Sequence, residues 1–517
     1  MTKRISILAA LLMAATLMMA CGGRGERATN GAGGGRELVI ALDNAPTHLD
    51  SRIGNDSASG RIMDMIYAGL VKFTPEAGHA PDLAERWEIS EEQKTITFHL
   101  RPNLTFQDGR PLTARDVLFT YQSLMADDFD SPKKSGYSSV TAFEAPDDRT
   151  FVIRFSEINA GILDNLTLGI VPEGANAEQF RTQPIGAGPY KVINFIPDDR
   201  VVMEPFPGYH GGAPAISQVV ARVVPDATTR VLELRRGSIN FALNAVPLDA
   251  VAAFKSNDEY DVIAEPGSIY QYLAFNLREP HLRNEKVRQA IAHAIDRNRI
   301  VSDLLLGYGE LTNSMLPTSH WAQTKDLPDY PFDQARAKAL LDEAGFRDPD
   351  GDGPQARFAL SYSTSTDAEA NQQAQMIQQM LKQVGIDITI NSKEFSTFYD
   401  DIQNGRYDMF SLRRAGVSDP DFYSVILASD AMPPEGQNRG FYSNPKLDQI
   451  LAEARSTFDQ ARRTALYQEA QQILARDLPY VSLYHRSNIA IMNKDLEGFE
   501  MYPAGFLLSV ADMRWSQ

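Results

Sequence analysis

Phe358-Ala359-Leu360-Ser361-Tyr362, then Met376-Ile377, Met380-Leu381 and Val384-Gly385, then Ile386-Asp387-Ile388-Thr389-Ile390: along this stretch the apolar period changes twice. The alternation of Phe358, Leu360 and Tyr362 predicts a strand, because successive strand side chains point to opposite faces. The three-and-four spacing of Met376, Ile377, Met380, Leu381 and Val384 predicts a helix with one apolar stripe, closed by Gly385. Ile386, Ile388 and Ile390 then alternate again. Strand, helix and strand at this spacing form a βαβ unit, whose strands pair in parallel through a right-handed crossover. This unit places the chain among mixed α/β proteins.

Working outward, Asp333 caps a helix through Leu340, Leu341 and Ala344 that stops at Gly345. Upstream, a helix capped by Asn284 is expected to carry Val287, Ile291, Ala294 and Ile295 and to stop near Gly307. Residues 37–42 read as a buried strand. Thr95 to Leu100 sets Ile96, Phe98 and Leu100 against Thr95, Thr97 and His99. Asp108-Gly109 before Pro111 is a turn, and Thr113-x-x-Asp116 matches a capping box that opens a helix with Val117, Tyr121 and Leu124 on its apolar stripe. Downstream, helices are expected at 445–455 and 459–476, followed by a strand at Val481-Ser482-Leu483-Tyr484. No repeat of solenoid period is present.

The 517 residues suffice for two to four packed units, and 43% hydrophobic with 23% charged is the balance of a globular protein. Fifty basic against 67 acidic residues give a net charge of -17, which disfavours nucleic acid and electrostatic docking on anionic lipid. Lys3 and Arg4, an apolar run from Ile5 to Ala20 and a small residue before the cut describe a secretory signal peptide over residues 1–20. Cys21, the only cysteine, stands where bacterial lipoprotein signals place the lipidated residue. The segment resembles a lipobox, with Met18 and Met19 where the pattern prefers Leu and a small residue. Removing residues 1–20 takes away two basic residues and no acidic one, leaving -19. Residues 21–36 are Gly-rich and read as a flexible tether.

Eight histidines are present, yet none forms a His-Glu-x-x-His pair, and neither a Gly-x-Ser-x-Gly elbow nor a phosphate-cradling Gly-x-x-x-x-Gly-Lys occurs. Ser131-Pro132-Lys133-Lys134 and Ser443-Asn444-Pro445-Lys446 satisfy Ser-x-x-Lys, but each is interrupted by Pro. Asp348-Pro349-Asp350-Gly351-Asp352-Gly353 imitates a calcium loop, but Ala359 stands where the bidentate Glu is due and Pro354 follows the second glycine; a polar turn accounts for it. No cofactor, metal or catalysis is expected.

Several long strings resemble the bacterial extracellular solute-binding proteins of family 5, the dipeptide-, oligopeptide- and nickel-binding lipoproteins that feed ABC importers. They are Tyr67-Ala68-Gly69-Leu70-Val71 with Pro81-Asp82-Leu83-Ala84-Glu85-Arg86-Trp87; Leu100-Arg101-Pro102 with Phe106-Gln107-Asp108-Gly109-Arg110-Pro111-Leu112-Thr113-Ala114-Arg115-Asp116-Val117; Gly186-Ala187-Gly188-Pro189-Tyr190 with Tyr209-His210-Gly211-Gly212; Val287-Arg288-Gln289-Ala290-Ile291 through Ala294-Ile295-Asp296-Arg297; and Asn444-Pro445 with Leu447-Asp448. The resemblance implies an α/β, two-lobed periplasmic-binding-protein fold of type II with the extra subdomain of the peptide-binding group. Residues 37–267 would form lobe one, with 76–186 as the extra subdomain; 268–483 would form lobe two, and 484–517 would return to lobe one. It further implies a monomer at the periplasm or outer face of the cell membrane, anchored there through Cys21, that delivers a peptide or small molecule to ABC permease subunits. A sensor docking a membrane signalling protein is the alternative, and an envelope hydrolase a remoter one.

In peptide-binding members the strand that enters the cleft carries Trp, then an Asp that holds the ligand's ammonium, then Asp-Pro. Aligning on Asp419-Pro420 puts Arg413 at the Trp position and Gly416 at the Asp position. Loss of that carboxylate removes the reason to expect a free peptide N-terminus. An arginine presents a fork suited to carboxylate or phosphate, so a polar or anionic solute is expected. Because strand neighbours face opposite ways, only one of Arg413 and Arg414 lines the cleft. Tyr270 and Asn276 beside the first lobe crossing, and Asn44 and His48 after the first strand, are further candidates.

Overall fold

The computed structural model describes residues 36–90, 92–351, 353–414, 419–433 and 436–516; the expected signal peptide, Cys21 with the tether as far as residue 35, and Gly416 lie outside them. Strand β1 (Leu38–Leu42) is buried along its whole length. It needs to be, since parallel strands flank it on both sides. Next comes helix α1 (Ser57–Ile66). A four-stranded antiparallel sheet follows, built from β2 (Ala84–Ile89), β3 (Thr95–Leu100), β4 (Val140–Asp147) and β5 (Thr150–Phe155) in the order β2-β3-β5-β4. In β3 the residues Ile96, Phe98 and Leu100 are buried and alternate with partly exposed ones. Helix α2 (Ala114–Met125) opens with the complete capping box of Thr113 and Asp116 and packs Val117, Tyr121 and Leu124 against that sheet.

Among the described residues the main sheet has eleven strands, ten along its path and the two-residue strand Gly309–Glu310 paired off it with Arg486 and His485. Along it run β6 (Tyr190–Ile196), β7 (Arg200–Pro205), β8 (Val219–Val223), β9 (Phe241–Leu243), β10 (Tyr260–Phe275), β11 (Phe358–Ser365), β12 (Ile386–Lys393), β13 (Met409–Arg414) and β14 (Tyr480–Asn493), with β1, in the order β12-β11-β13-β10-β14-β9-β1-β8-β7-β6. The helix expected from Asn284 to near Gly307 is two: α3 (Glu285–Ala294) and α4 (Arg297–Leu304). Asp296 leaves the helical path between them, and its side chain accepts the backbone N–H of Arg299, which is what an N-cap does. Helix α5 (Gln334–Glu343) is capped by Asp333, and Gly345 beyond it takes φ +93°. Helix α6 (Ala368–Lys382) connects β11 to β12, which pair in parallel from Phe358↔Ile386 to Ser365↔Lys393. The βαβ unit is therefore present, as the alternating apolar pattern requires. Helices α7 (Phe395–Gln403), α8 (Phe422–Leu427), α9 (Pro445–Arg455) and α10 (Gln460–Asp477) complete this end.

Each end of the sheet has its own cores, one gathering Leu38, Ile40, Val219 and Phe241, the other Leu360, Ile377, Ile388 and Met409. Between the ends stand β10 and β14. Tyr260 to Pro266 of β10 pairs with Asn493 to Ser487, the stretch of β14 that also pairs with β9. Tyr270 to Ala274 pairs with His485 to Tyr480, and on its other side with β13. The register slips between Pro266 and Tyr270. At this slip the Tyr270 hydroxyl meets Ser482 Oγ at 2.7 Å, and its ring lies 5.1 Å from the imidazole of His485, which is fully buried and hydrogen-bonds the Ser314 carbonyl through Nε2.

Two of the strings quoted above have a packing reason. Gln107 sends its side-chain amide N–H groups to the carbonyls of Ile66, Gly188 and Tyr190, and its Oε1 accepts the Gly186 N–H. Gly188 N–H donates to Ile66. A Cβ on Gly186 would overlap the Ile66 carbonyl oxygen, and one on Gly188 would stand 2.6 Å from the Tyr67 backbone. The end of α1 thus lies directly on the chain that enters β6.

Gly186→Ala should destabilise the protein by about 2–3 kcal/mol through overpacking, and Gln107→Leu by about 2–4 kcal/mol through the carbonyls it strands; urea titration measures both. A second expectation concerns acid. Burial pushes His485 from 6.5 down to about 4, so the fold holds its neutral form. That contribution is complete above pH 6.5 and disappears as pH falls toward the folded value, a loss of about 3 kcal/mol. The groups packed on it are the Tyr270 ring, the Ser314 carbonyl and, across the ladder, Glu310. In His485→Asn the midpoint of unfolding should depend less on pH over this window.

Candidate functional site

In α/β sheets ligands bind beyond the carboxyl ends of the parallel strands, where the chain order switches. Here that edge is formed by Ser365, Lys393 and Arg414, the last residues of β11, β12 and β13. A crevice of about 230 Å³ opens there beside the β10–β14 ladder, lined by Gln271, Glu369, Gln373, Phe395, Arg413 and Tyr484 among others. Its base is polar, with Gln271 Oε1 buried and without a hydrogen-bond donor. Tyr484 hydroxyl donates to Gln373 Oε1 at 3.1 Å, and Gln373 donates to Ser411 Oγ at 3.2 Å.

Arg413 and Arg414 face opposite sides of β13, as the pleat demands. Across the ladder Arg413 is level with Gln271 and Arg414 with Tyr270. Arg413 reaches into the crevice and donates to Glu369 Oε1 at 2.6 Å. The same carboxylate takes two bonds of 2.9 Å from Arg486 of β14. Arg413 is therefore already engaged by a carboxylate that it shares. Arg414 has no carboxylate partner among the described residues. Its guanidinium lies over the Phe422 ring, 4.0 Å from the centroid, and its Nε is buried without an acceptor.

The remaining candidates are held by the fold itself. Tyr270 is fully buried in the slip described above. Asn276 sits at the far end of β10 and brackets the chain, donating to the carbonyls of Tyr407 and Gly405 and accepting from Arg278. His48 is buried, and its Nδ1 accepts the Asp50 N–H in a local turn. Asn44 is exposed just beyond β1. Glu369 and Arg486 were missed from sequence, because no local spacing connects α6, β13 and β14.

The four-stranded unit approaches the other end of the sheet near Asp419. Ala160 N–H donates to the Arg455 carbonyl, and Phe458 N–H to Gln93 Oε1 at 2.9 Å, with the Phe458 ring against that unit's core. Arg463 holds Asp419 through two bonds of 2.9 Å. A larger cavity of about 480 Å³ lies between α1 and the four-stranded unit, with Asp64, Lys133, Asp164 and Phe506 on its walls. Burial pushes the Asp64 carboxyl up to about 7 and the Lys133 amine down to about 8. Its lining comes from residues 51–169 and 506–508 alone. Nothing from the β11–β13 end contributes, so filling it would not bring the two ends together.

The sequence profile of the bacterial extracellular solute-binding proteins, family 5, middle region, matches residues 79–432. Oligopeptide-binding protein AppA of Bacillus subtilis is 28% identical over 533 residues, spanning 98% of this chain and 97% of AppA. Glutathione-binding protein GsiB of Pectobacterium atrosepticum is 28% identical over 90% of this chain and 92% of its own. Among solved structures, HbpA2 from Haemophilus parasuis superposes with TM-score 0.84 at 26% identity, covering 93% of this chain and all (100%) of HbpA2. AppA in complex with a nonapeptide gives 0.73 at 26% identity, over 94% of this chain and 99% of AppA. The fold is the two-lobed α/β architecture of these proteins, which bind solutes and are not enzymes. The chain belongs to the bacterial extracellular solute-binding proteins of family 5.

Proposed function

We propose that the protein captures a polar solute, a peptide or a small molecule of peptide-like chemistry, between its two lobes and presents it to the permease subunits of an ABC importer. The names of the relatives support this reading, one being an oligopeptide-binding and another a glutathione-binding protein. The observation that carries it is the β10–β14 ladder, whose register slips between Pro266 and Tyr270 and whose two halves serve different neighbours. In this reading residues 37–267 and 484–517 move as one body, with 76–186 as its extra subdomain, and 268–483 as the other. Ligand contacts made only when both bodies close shift the population toward the closed shape, and that shape is what the importer reads. A micromolar ligand supplies about 8 kcal/mol, part of which drives closure.

The anionic group expected of the solute falls to Arg414 in preference to Arg413, since Glu369 already occupies Arg413. Gly416, where peptide binders carry the ammonium-holding Asp, leaves a free amino terminus without its usual anchor. Acylation of Cys21 would tether the body at the membrane by hydrophobic insertion, at about 0.8 kcal/mol per buried CH₂, without help from an acidic surface.

Small-angle scattering with glutathione or a mixed peptide pool should show the radius of gyration falling on binding; unchanged dimensions in the presence of a tight binder, verified by calorimetry, would overturn capture by closure. Cys21→Ser should move the mature protein from the membrane fraction to the soluble fraction, and an equal partition of both forms would remove the lipid anchor.

A further inference from the structure

The cavity of about 480 Å³ between α1 and the four-stranded unit has no part in capture by closure. Its size lies within the roughly 300–1,000 Å³ typical of small-molecule sites. Part of its wall is aromatic. Phe73, at the end of the short strand Val71–Phe73, stacks on Phe506 with ring centroids 5.0 Å apart and planes 13° from parallel.

Among the described residues, the charged side chains on the wall are Asp64, Lys72, Asp82, Lys133 and Asp164. Two of them already have a counterpart: Asp82 faces His210 Nε2 and Asp164 faces His79 Nε2, each at 2.9 Å. Lys72 is exposed, where solvent screens its charge. Asp64 and Lys133 differ from these. Asp64 accepts one hydrogen bond, from the Leu507 N–H at 2.8 Å, and Lys133 donates one, to the Ser51 carbonyl at 2.5 Å. Neither forms an ion pair among the described residues. Nor do they meet each other, since one is anchored beside Phe506 and the other on the chain ahead of α1. Both keep part of their surface open. Burial acts on each as it must on a charge short of a partner, pushing the carboxyl up to about 7 and the amine down to about 8. The cavity thus holds an acid and a base at separate places, with a stacked aromatic pair on its wall.

We propose that this cavity is a second binding site, separate from the cleft between the lobes, for a small linear zwitterion, with its ammonium on Asp64, its carboxylate on Lys133 and its apolar body against Phe73 and Phe506. Charge-assisted hydrogen bonds are the strong ones, and they gain further where solvent is partly excluded. A ligand with one charge satisfies one anchor and leaves the other short of a partner. An α-amino acid carries both charges on a single carbon and cannot serve two separate anchors, whereas a chain with an amine at one end and an acid at the other can. The lining comes from residues 51–169 and 506–508 alone, so an occupant touches one end of the main sheet and leaves closure to the ligand of the cleft. The inference therefore stands apart from the capture reading.

The test is calorimetry with 6-aminohexanoate, hexylamine and hexanoate on the wild-type protein, Asp64→Asn and Lys133→Met. Asn still accepts the Leu507 N–H, and Met keeps most of the lysine stem. The wild type should bind 6-aminohexanoate about 10-fold or more tighter than either truncated probe. Asp64→Asn should weaken 6-aminohexanoate and hexylamine roughly 10- to 100-fold and spare hexanoate; Lys133→Met should weaken 6-aminohexanoate and hexanoate and spare hexylamine. Each variant carries its own folding control, the probe whose anchor is intact. An ammonium selects the ionised form of Asp64, so binding at pH 7 should release about half a proton, read from the dependence of the binding enthalpy on the buffer. The other titratable groups that act on Asp64 are Arg61, which stays charged at that pH, and Tyr502, which stays neutral. Four results each overturn the site: no binding of 6-aminohexanoate by the wild type at millimolar concentration, binding no tighter than that of a truncated probe, variants that fail to sort the two truncated probes, or a radius of gyration that falls as 6-aminohexanoate binds, which would put it in the cleft. Capture by closure is tested separately, by scattering with glutathione or peptides, and none of these four results bears on it.

Discussion

Between Pro266 and Tyr270 the hydrogen-bond ladder joining β10 to β14 slips register, and on either side of the slip the two strands belong to different sheets in all but continuity. Ladder bonds hold neighbouring strands at fixed spacing, so a sheet this wide is stiff along its rungs. An irregular register is where a ladder bends and twists most readily. The side chains packed there are large and interlocked, Tyr270 against His485 and Tyr272, with the Tyr270 hydroxyl on Ser482. Everything at the site depends on this arrangement, since the crevice at the ends of β11 and β13 opens directly beside it.

The ionic network follows the same line. Arg486 leaves β14 just past the slip and meets Glu369 at the start of α6, which also holds Arg413 at the end of β13. Two cations on one carboxylate leave a positive surplus beside the crevice. On the opposite face of β13, Arg414 carries a further positive charge. Dissolved salt screens partly buried charges such as these far less than surface ones. Around the crevice the charged groups are Arg413 and Arg486 against Glu369, with Asp367 also on its wall.

Much of the fold was legible because its elements follow local rules. The alternation of Ile96, Phe98 and Leu100, the capping box at Thr113 and Asp116, and the βαβ unit over Phe358 to Lys393 are each determined by neighbours in sequence. Where a local rule met a competing one, the reading erred. The apolar stripe from Val287 to Ile295 suggests a single helix, but Asp296 is a better cap than helix residue, and the chain breaks there. The strand expected at Val481 to Tyr484 runs on to Asn493, because Arg486, Ser487 and Asn488 are polar residues that a short-range pattern reads as its end. They are strand residues only because β10 lies alongside them.

The site itself was least legible, for a reason that bears on what the protein does. A catalytic motif concentrates its groups in one turn or helix face, since bond making needs atoms fixed within a few tenths of an ångström of each other. A recognition site in a two-lobed binder has no such need. Its groups are gathered by tertiary folding from segments far apart in sequence, as Glu369, Arg413 and Arg486 are. Sequence reading could place Arg413 and Arg414 on opposite faces of a strand, because the pleat dictates it. It could not say which of them the fold leaves without a carboxylate, since that turns on Glu369, forty-four positions away from Arg413 in the chain. What distinguishes Arg414 is a property of packing: among the described residues its guanidinium lies on the Phe422 ring with no carboxylate beside it.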